Sequence, residues 1–317
     1  MDNKKINIGV IMDDINNINP EKDTTLELLL EAKKRSLNII YFEQNGLYIK
    51  NGLAYGKGYE IEVFPGSKKY FECIKSWEEE LSKLDMLLMR KDPPFNMAYI
   101  YTTYILDLAE KNGVKVINNP KSLRDINEKS YTAWIPDLTP AHIITNNINQ
   151  IKNFLKQYKK IVIKPLDSMG GQSIFVIDEK DLNTNVIIEV MTKNNNRFVI
   201  AQKYIKEITK GDKRIIIING EPIKYSLVRI PKEGDTRGNL AMGSSKKISK
   251  LTKKELEICS YIGPLLINKG IYLAGIDVIG EYITEINITS PTGAKEIKAG
   301  ANIDVAKIFF DEVLKII

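Results

Sequence analysis

The stretch GIDVIGEYITEINITSPTG sets Glu285 and Asn287 two residues apart in a strand-like run, which turns both side chains to one face. Asp277 precedes them across a turn at Gly280-Glu281. A hairpin built this way collects three oxygen-bearing side chains. Hard divalent cations such as magnesium select such ligands and leave waters and phosphates to complete the shell. An isolated pair of this kind also decorates ordinary half-exposed hairpins, so the chemistry depends on what accompanies it.

Its companion is IVIKPLDSMGGQSIFVI, a strand ending in Lys164, a short loop holding Gly170-Gly171, and a second strand. Glycines let backbone amides come close to a phosphate. No GxxxxGK[ST] or GxGxxG occurs, and the loop runs into a strand instead of a helix, so a hairpin flap over a nucleotide is the fitting geometry. Alone, the Gly-Gly segment is also an ordinary turn; its joint occurrence with the acidic hairpin points to a metal–nucleotide site.

Three arginines extend the set: Arg214 in GDKRIII and Arg229 in LVRIP on strands, and Arg237 in GDTRGN on a loop. Arginine grips phosphate and carboxylate with two parallel hydrogen bonds. The polar run PKEGDTRGNLAMGSSKK, 231–247, has no periodicity of its own, as expected of a lid loop. MRKDPPF follows a buried strand and places Arg90 and Lys91 beyond its carboxyl end, where α/β proteins bind ligands; a rigid Pro-Pro turn with exposed charges is the other reading. His142 has no Ser, Cys or acidic partner at a telling spacing and reads as structural.

The elements that must position these groups are of two kinds. Apolar runs at 6–12, 39–42, 86–89 and 114–117 alternate with amphipathic stretches, which predicts a parallel α/β sheet. Between the first two lies TTLELLLEAKKR, a helix capped by Asp23 or Thr24 with Glu27 completing a capping box. Asn51-Gly52 between alternating runs predicts a hairpin that leaves the sheet. After Asn119-Pro120, short strands near 161–164, 173–176, 198–202, 214–218 and 223–227 follow closely, which favours antiparallel pairing. A helix over 253–269, strands at 273–279 and 282–286, and an amphipathic helix over 303–317 complete the chain.

A chain of 317 residues, 43% hydrophobic and 27% charged, is an ordinary folded protein large enough for two or three subdomains around a cleft. The net charge of +6 suits anionic small molecules, while the scattered lysines lack the stripe and stacking aromatics of a nucleic-acid surface. Cys73 and Cys259 stand far apart, with no zinc or redox spacing, which fits a reducing compartment. The apolar run of the N-terminus ends in two aspartates and is too short for a signal peptide or membrane span.

Taken in order, MRKDPPF, NEKSYTAW, KPLDSMGGQSIF, GDKR, LVRIP, DTRGNLA and EINITSPTG resemble the bacterial glutathione synthetases of the ATP-grasp superfamily, across essentially the whole chain. The resemblance implies an α/β and α+β architecture. It has an N-terminal parallel α/β sheet domain (1–123), a central ATP-grasp lid domain (124–203) and a C-terminal ATP-grasp catalytic domain with an antiparallel sheet (204–317). It implies ATP-binding by Lys129, Lys164, Gly170, Gly171, Gln202, Lys203, Tyr204, Ile205 and Asp212, and magnesium, with manganese as the alternative ion, on Asp277, Glu285 and Asn287. By the same route Arg90, Arg229, Asn287, Ser290 and Thr292 face the peptide, and Arg214 and Arg237 steady the transferred phosphate as catalytic residues. The substrates implied are ATP, γ-glutamylcysteine and glycine, in a cytoplasmic homo-oligomer, commonly a tetramer, with neither nucleic acid nor membrane as partner. Ser168 replaces a common glycine, Gly243-Ser244-Ser245-Lys246 is poorer in glycine than usual, and Lys295 replaces a frequent arginine. Two rival readings stay open here: another ATP-grasp ligase, for D-alanine or glutamate, and a non-catalytic ATP-binding regulator.

Overall fold

The computed structural model describes residues 5–66, 68–167, 173–232 and 245–317. Ser168, Gly170, Gly171, Arg237, Gly243 and Ser244 lie outside the described residues.

The first unit is a seven-stranded sheet of β1 (Asn7–Ile11), β2 (Asn38–Phe42), β3 (Leu47–Lys50), β4 (Leu53–Val63), β5 (Phe71–Glu80), β6 (Met86–Met89) and β7 (Lys115–Ile117). Its order is β3-β4-β2-β1-β6-β7, with β5 against β4. β1 runs parallel to β2 and β6, and β6 to β7, as the alternating pattern predicts. These strands are apolar on both faces because helices α1 (Thr24–Lys34), α2 (Met97–Lys111) and α3 (Pro120–Asp125) cover the sheet.

Two expectations for this unit need correction. The Asn51-Gly52 turn forms with φ of 50° and 80°, but its hairpin extends the sheet: β4 pairs antiparallel with β2, β3 and β5, so this half of the sheet is not parallel. Asp23 caps α1 by accepting from Leu26 N–H at 2.6 Å, which puts Glu27 one place past the capping-box position. Glu27 pairs instead with Lys298 at 2.9 Å and Lys295 at 3.5 Å, tying α1 to the last third of the chain.

The second unit is a four-stranded antiparallel sheet of β8 (His142–Thr145), β9 (Lys160–Pro165), β10 (Phe175–Asp178) and β11 (Val199–Lys203), in the order β10-β9-β11-β8. Helices α4 (Ile148–Tyr158) and α5 (Thr184–Thr192) back it. Ile151, Leu155, Ile161, Ile163, Ile188 and Val199 form a core of its own.

The third unit holds β12 (Asp212–Ile218), β13 (Glu221–Pro222), β14 (Tyr225–Ile230), β15 (Ser245–Lys250), β16 (Leu273–Ile279) and β17 (Tyr282–Asn287), with α6 (Lys253–Asn268), α7 (Ala294–Ala301) and α8 (Val305–Val313). Its sheet order is β15-β14-β12-β16-β17, with β13 against β12. Strand β15 begins at Ser245 and ladders onto β14, so the expected loop ends earlier than residue 247. The final helix is shorter than expected: Asp304 caps it by accepting from Lys307 N–H at 3.0 Å, and a 3₁₀ turn follows Val313. The interior of this unit is continuous with that of the first, since Ile216, Ile218, Phe309 and Phe310 share one cluster with Ile8 and Met86. Burial therefore welds first and third units together, whereas the second packs mainly on itself.

Candidate active site

The site begins with the hairpin of β16 and β17. Gly280 turns at φ 62°, and the register sets Asp277 directly opposite Glu285 and Gly275 opposite Asn287. A bulge after Asp277 shifts the later register. Directly opposed residues share a face: Glu285 and Asn287 do so by their two-residue spacing, and Asp277 joins them through the bulge, without which the turn at Gly280-Glu281 would pair it with Thr284.

On the other side of β16, the register places Arg214 of β12 against Asp277. Arg214 donates to Asp277 Oδ1 through Nε at 2.6 Å and to Oδ2 through Nη2 at 3.0 Å. Arg229 of β14 reaches Asp277 Oδ2 at 3.0 Å and donates to Asp212 Oδ2 at 2.5 Å. Gly275 makes this geometry available: a Cβ there would lie 2.8 Å from Arg214 Cδ and 3.1 Å from Nε, so only glycine lets the guanidinium lie along β16.

Burial raises the Asp277 carboxyl, but the Arg214 and Arg229 charges and hydrogen bonds outweigh it and hold the group well below the usual carboxylate range. For Asp212 burial dominates, with Asp277 and Glu285 adding repulsion against the pull of Arg229, and the carboxyl is pushed up to about 6. Burial also works against ionised Glu285, and Lys164 and Lys129 reverse that, lowering its pKa.

Lys164 reaches this hairpin from the second unit. It sits near the end of β9, opposite Ile200 of β11, and its ammonium lies 3.3 Å from Glu285 Oε1. Lys129, also buried, lies in the segment joining first and second units. The strand carrying Lys164 and the acidic hairpin thus touch where the second and third units meet.

Arg90 follows β6, and its main-chain N–H donates to Ile11 O at 2.7 Å. Its side chain is only 4% exposed, which rules out the reading of a Pro-Pro turn with an exposed Arg90. Nε donates to Thr25 Oγ1 at 3.1 Å and Nη2 to Pro291 O at 3.0 Å, while Nη1 has no hydrogen-bond partner among the described residues. Ser290 meets the carboxylate of Asp92, and Thr292 O accepts from Arg214 Nη1 at 3.4 Å.

Gln202 and Lys203 end β11, and Tyr204 and Ile205 follow it toward β12. Lys203 N–H donates to Ala141 O at 2.8 Å, Tyr204 N–H donates to Lys160 O at 3.1 Å, and the Lys160 ammonium sits 4.5 Å from the Tyr204 ring centroid. Gln202 Nε2 is buried without a partner among the described residues.

Sequence reasoning missed Thr25, Asp92, Asn118 and Glu128. Asn118 donates to Leu273 O at 2.8 Å and Ile288 O at 2.9 Å and accepts from Tyr272 and Leu273 N–H, locking β16 to the end of β17. No local pattern marks such residues, because their partners lie far away in the chain.

Among the described residues, no three His, Cys, Asp or Glu side chains converge as a ready metal cage. The shared face of β16 and β17 offers two carboxylates and an amide, the sparse oxygen set that suits magnesium when phosphates and waters supply the rest. No helix among the described residues is long and apolar enough to cross a membrane.

The family model "Prokaryotic glutathione synthetase, N-terminal domain" matches residues 6–124, and "Prokaryotic glutathione synthetase, ATP-grasp domain" matches residues 128–302. The chain belongs to the prokaryotic glutathione synthetase family. Glutathione synthetase of Buchnera aphidicola subsp. Schizaphis graminum is 46% identical over 310 residues, 98% of this chain and 97% of the relative. That of Coxiella burnetii is 45% identical over 304 residues, 96% and 95% of the two chains. Among solved structures, a D-cycloserine synthetase matches with a TM-score of 0.69 at 10% identity, over 97% of this chain and 99% of the other. D-alanyl-alanine synthetase A of Vibrio cholerae matches with a TM-score of 0.61 at 14% identity, over 98% of each chain. These structural likenesses show the shared fold; family membership makes the molecule an ATP-dependent ligase.

Proposed function

We propose that this chain joins glycine to the cysteinyl carboxylate of γ-glutamylcysteine, using ATP. The observation that supports the reading is the ion pair of Lys164 with Glu285, at 3.3 Å, which joins the lysine read as a phosphate ligand to the carboxylate read as a metal ligand. A carboxylate oxygen of the peptide attacks the γ-phosphorus of ATP, the bond to ADP breaks, and an acyl phosphate forms. The glycine amine then attacks the acyl carbon, phosphate leaves, and the amine gives up a proton.

In this scheme Lys129 and Lys164 bind phosphate oxygens, Lys203, Tyr204 and Ile205 lie along the adenine, and Gln202 and Asp212 complete the nucleotide set. Arg90, Arg229, Ser290 and Thr292 orient the peptide, and Arg214 and Arg237 steady the charge on the transferring group. Asp277, Glu285 and Asn287 would hold magnesium, which supplies charge neutralisation of the phosphates when bound. No side-chain nucleophile is required; positioning and charge stabilisation suffice. The division at 1–123, 124–203 and 204–317, a cytoplasmic setting and a homo-oligomer belong to the same proposal, the last read by sedimentation velocity.

The test is phosphate release from ATP and magnesium with γ-glutamylcysteine and glycine omitted in turn. Dependence on both supports the reading. Release with D-alanine or glutamate as the required substrate, or ATP binding without turnover, refutes it.

A further inference from the structure

Beyond Asn287 the chain leaves the β17 ladder, yet the segment to Thr292 carries two of the proposed peptide contacts. Its backbone is held by charged and polar side chains from elsewhere: Asn118 at Ile288 O, Arg90 at Pro291 O and Arg214 at Thr292 O. The densest hold comes from Glu128. A single oxygen, Oε1, accepts from Ile288 N–H at 2.8 Å, Thr289 N–H at 2.9 Å and Thr289 Oγ1 at 2.8 Å. The main-chain carbonyl of Glu128 also accepts from Ile286 N–H at 2.8 Å.

The next residue is Lys129, and Asn127 fixes it from the other side. Asn127 Oδ1 accepts from Lys129 N–H at 3.1 Å and Ser130 N–H at 2.9 Å, and its Nδ2 donates to Leu166 O at 2.9 Å, just past Lys164. Glu128, Lys129, Asp167 and Thr289 line one cleft. Three neighbouring residues of the NEK motif thus join the start of the phosphate loop, a buried lysine and the peptide-facing segment.

We infer that Glu128 is a positioning residue for the ligation: its carboxylate holds the Ile288–Thr289 backbone so that Ser290 and Thr292 keep a fixed place relative to Lys129. The inference rests on the proposed reading of Ser290 and Thr292 as peptide contacts. A segment outside any ladder must find acceptors for its N–H groups among side chains or water, and a charged acceptor makes the stronger hydrogen bonds. Misplacement of a substrate-orienting group by about 1 Å lowers turnover by about 100-fold.

The experiment compares full-length wild type with Glu128→Ala, Glu128→Gln and Thr289→Val, measuring kcat, the KM for γ-glutamylcysteine and, by calorimetry, ADP affinity. For Glu128→Ala, kcat/KM for the dipeptide should fall by about 100-fold with ADP affinity within about threefold of wild type. Glutamine keeps an acceptor oxygen in place and should recover at least about tenfold of that loss. If the alanine variant does not fold, Thr289→Val, which removes one of the three donors, decides: a raised dipeptide KM with unchanged ADP affinity is expected, and an unchanged KM overturns the inference. Equal losses in the alanine and glutamine variants, or parallel losses of ADP and dipeptide binding, also overturn it. A wild-type chain that does not consume ATP with γ-glutamylcysteine and glycine refutes the ligase reading instead.

Discussion

Replacing Asp277 with asparagine keeps its shape and removes one charge, and the geometry sets how much that should matter. The carboxylate accepts from Arg214 Nε at 2.6 Å and Nη2 at 3.0 Å, with Arg229 Nη2 at 3.0 Å and Asn287 Nδ2 at 3.4 Å. An amide has one acceptor oxygen, and its NH₂ must face either Arg214 Nε or the pair of Nη2 groups, donor against donor. Two guanidiniums, 8% and 10% exposed, would then lose the counter-charge they share. Breaking a buried pair by removing one partner costs about 3–5 kcal/mol. Asp212 still accepts from Arg229, and Thr292 O from Arg214, so the lower end, about 3 kcal/mol, is expected. With a urea dependence of about 3 kcal/mol/M for a chain of this size, the unfolding midpoint should fall by about 1 M. Tryptophan fluorescence in urea at neutral pH reads this directly. A fall of less than about 0.3 M would refute the assignment of Asp277 as the counter-charge of both arginines.

Glu285→Gln should behave differently, because its contact with Lys164 is a single one and an amide oxygen still accepts from it. The midpoint should move less than for Asp277→Asn while ATP-dependent ligation drops by about 100-fold or more, and near-normal turnover would contradict a metal-holding role. Gly275→Ala improves strand propensity but drives a methyl against Arg214 Cδ at 2.8 Å, so ligation should fall, and wild-type kinetics would show that the arginine can move aside freely. Burial of Asp304 opposes its charge, but the hydrogen bonds from Lys298 and Lys307 lower its pKa below the ordinary 3.8. The unfolded chain therefore binds the extra proton, and the stabilisation is complete above that value and lost as pH falls through the folded one. Asp304→Asn keeps a helix cap but loses this pair, so its deficit in urea midpoint should shrink from pH 7 toward strong acid; a constant deficit would refute the linkage.

Much of the architecture was legible because the signals are local. Buried parallel strands such as Met86–Met89 are short apolar runs, and Asn51-Gly52 and Gly280-Glu281 both turn where their types require. The helices at 148–158 and 184–192 were not read: the first shows an apolar period in Ile151, Phe154 and Leu155 that was passed over, and the second, nine residues long, leaves Val186 and Val190 exposed and so reads as a short apolar run that fits a strand as well. The side on which a hairpin docks was also hidden: β4 could extend the sheet or leave it, and only its pairing with β2 decides.

Chain order alone determined that Glu285 and Asn287 share a face, because strand alternation leaves no other arrangement, whereas the bulge that brings Asp277 to that face belongs to the folded hairpin. It determined likewise that Arg214 and Arg229 stand on strands and that Arg90 follows a buried one. Tertiary structure decided that two arginines close on one aspartate, that Lys164 comes to Glu285 from another sheet, and that Glu128 holds a segment about 160 residues further along. Those contacts join parts of the chain whose separation leaves no periodic trace, and they exist only once the chain has folded its separate sheets against one another.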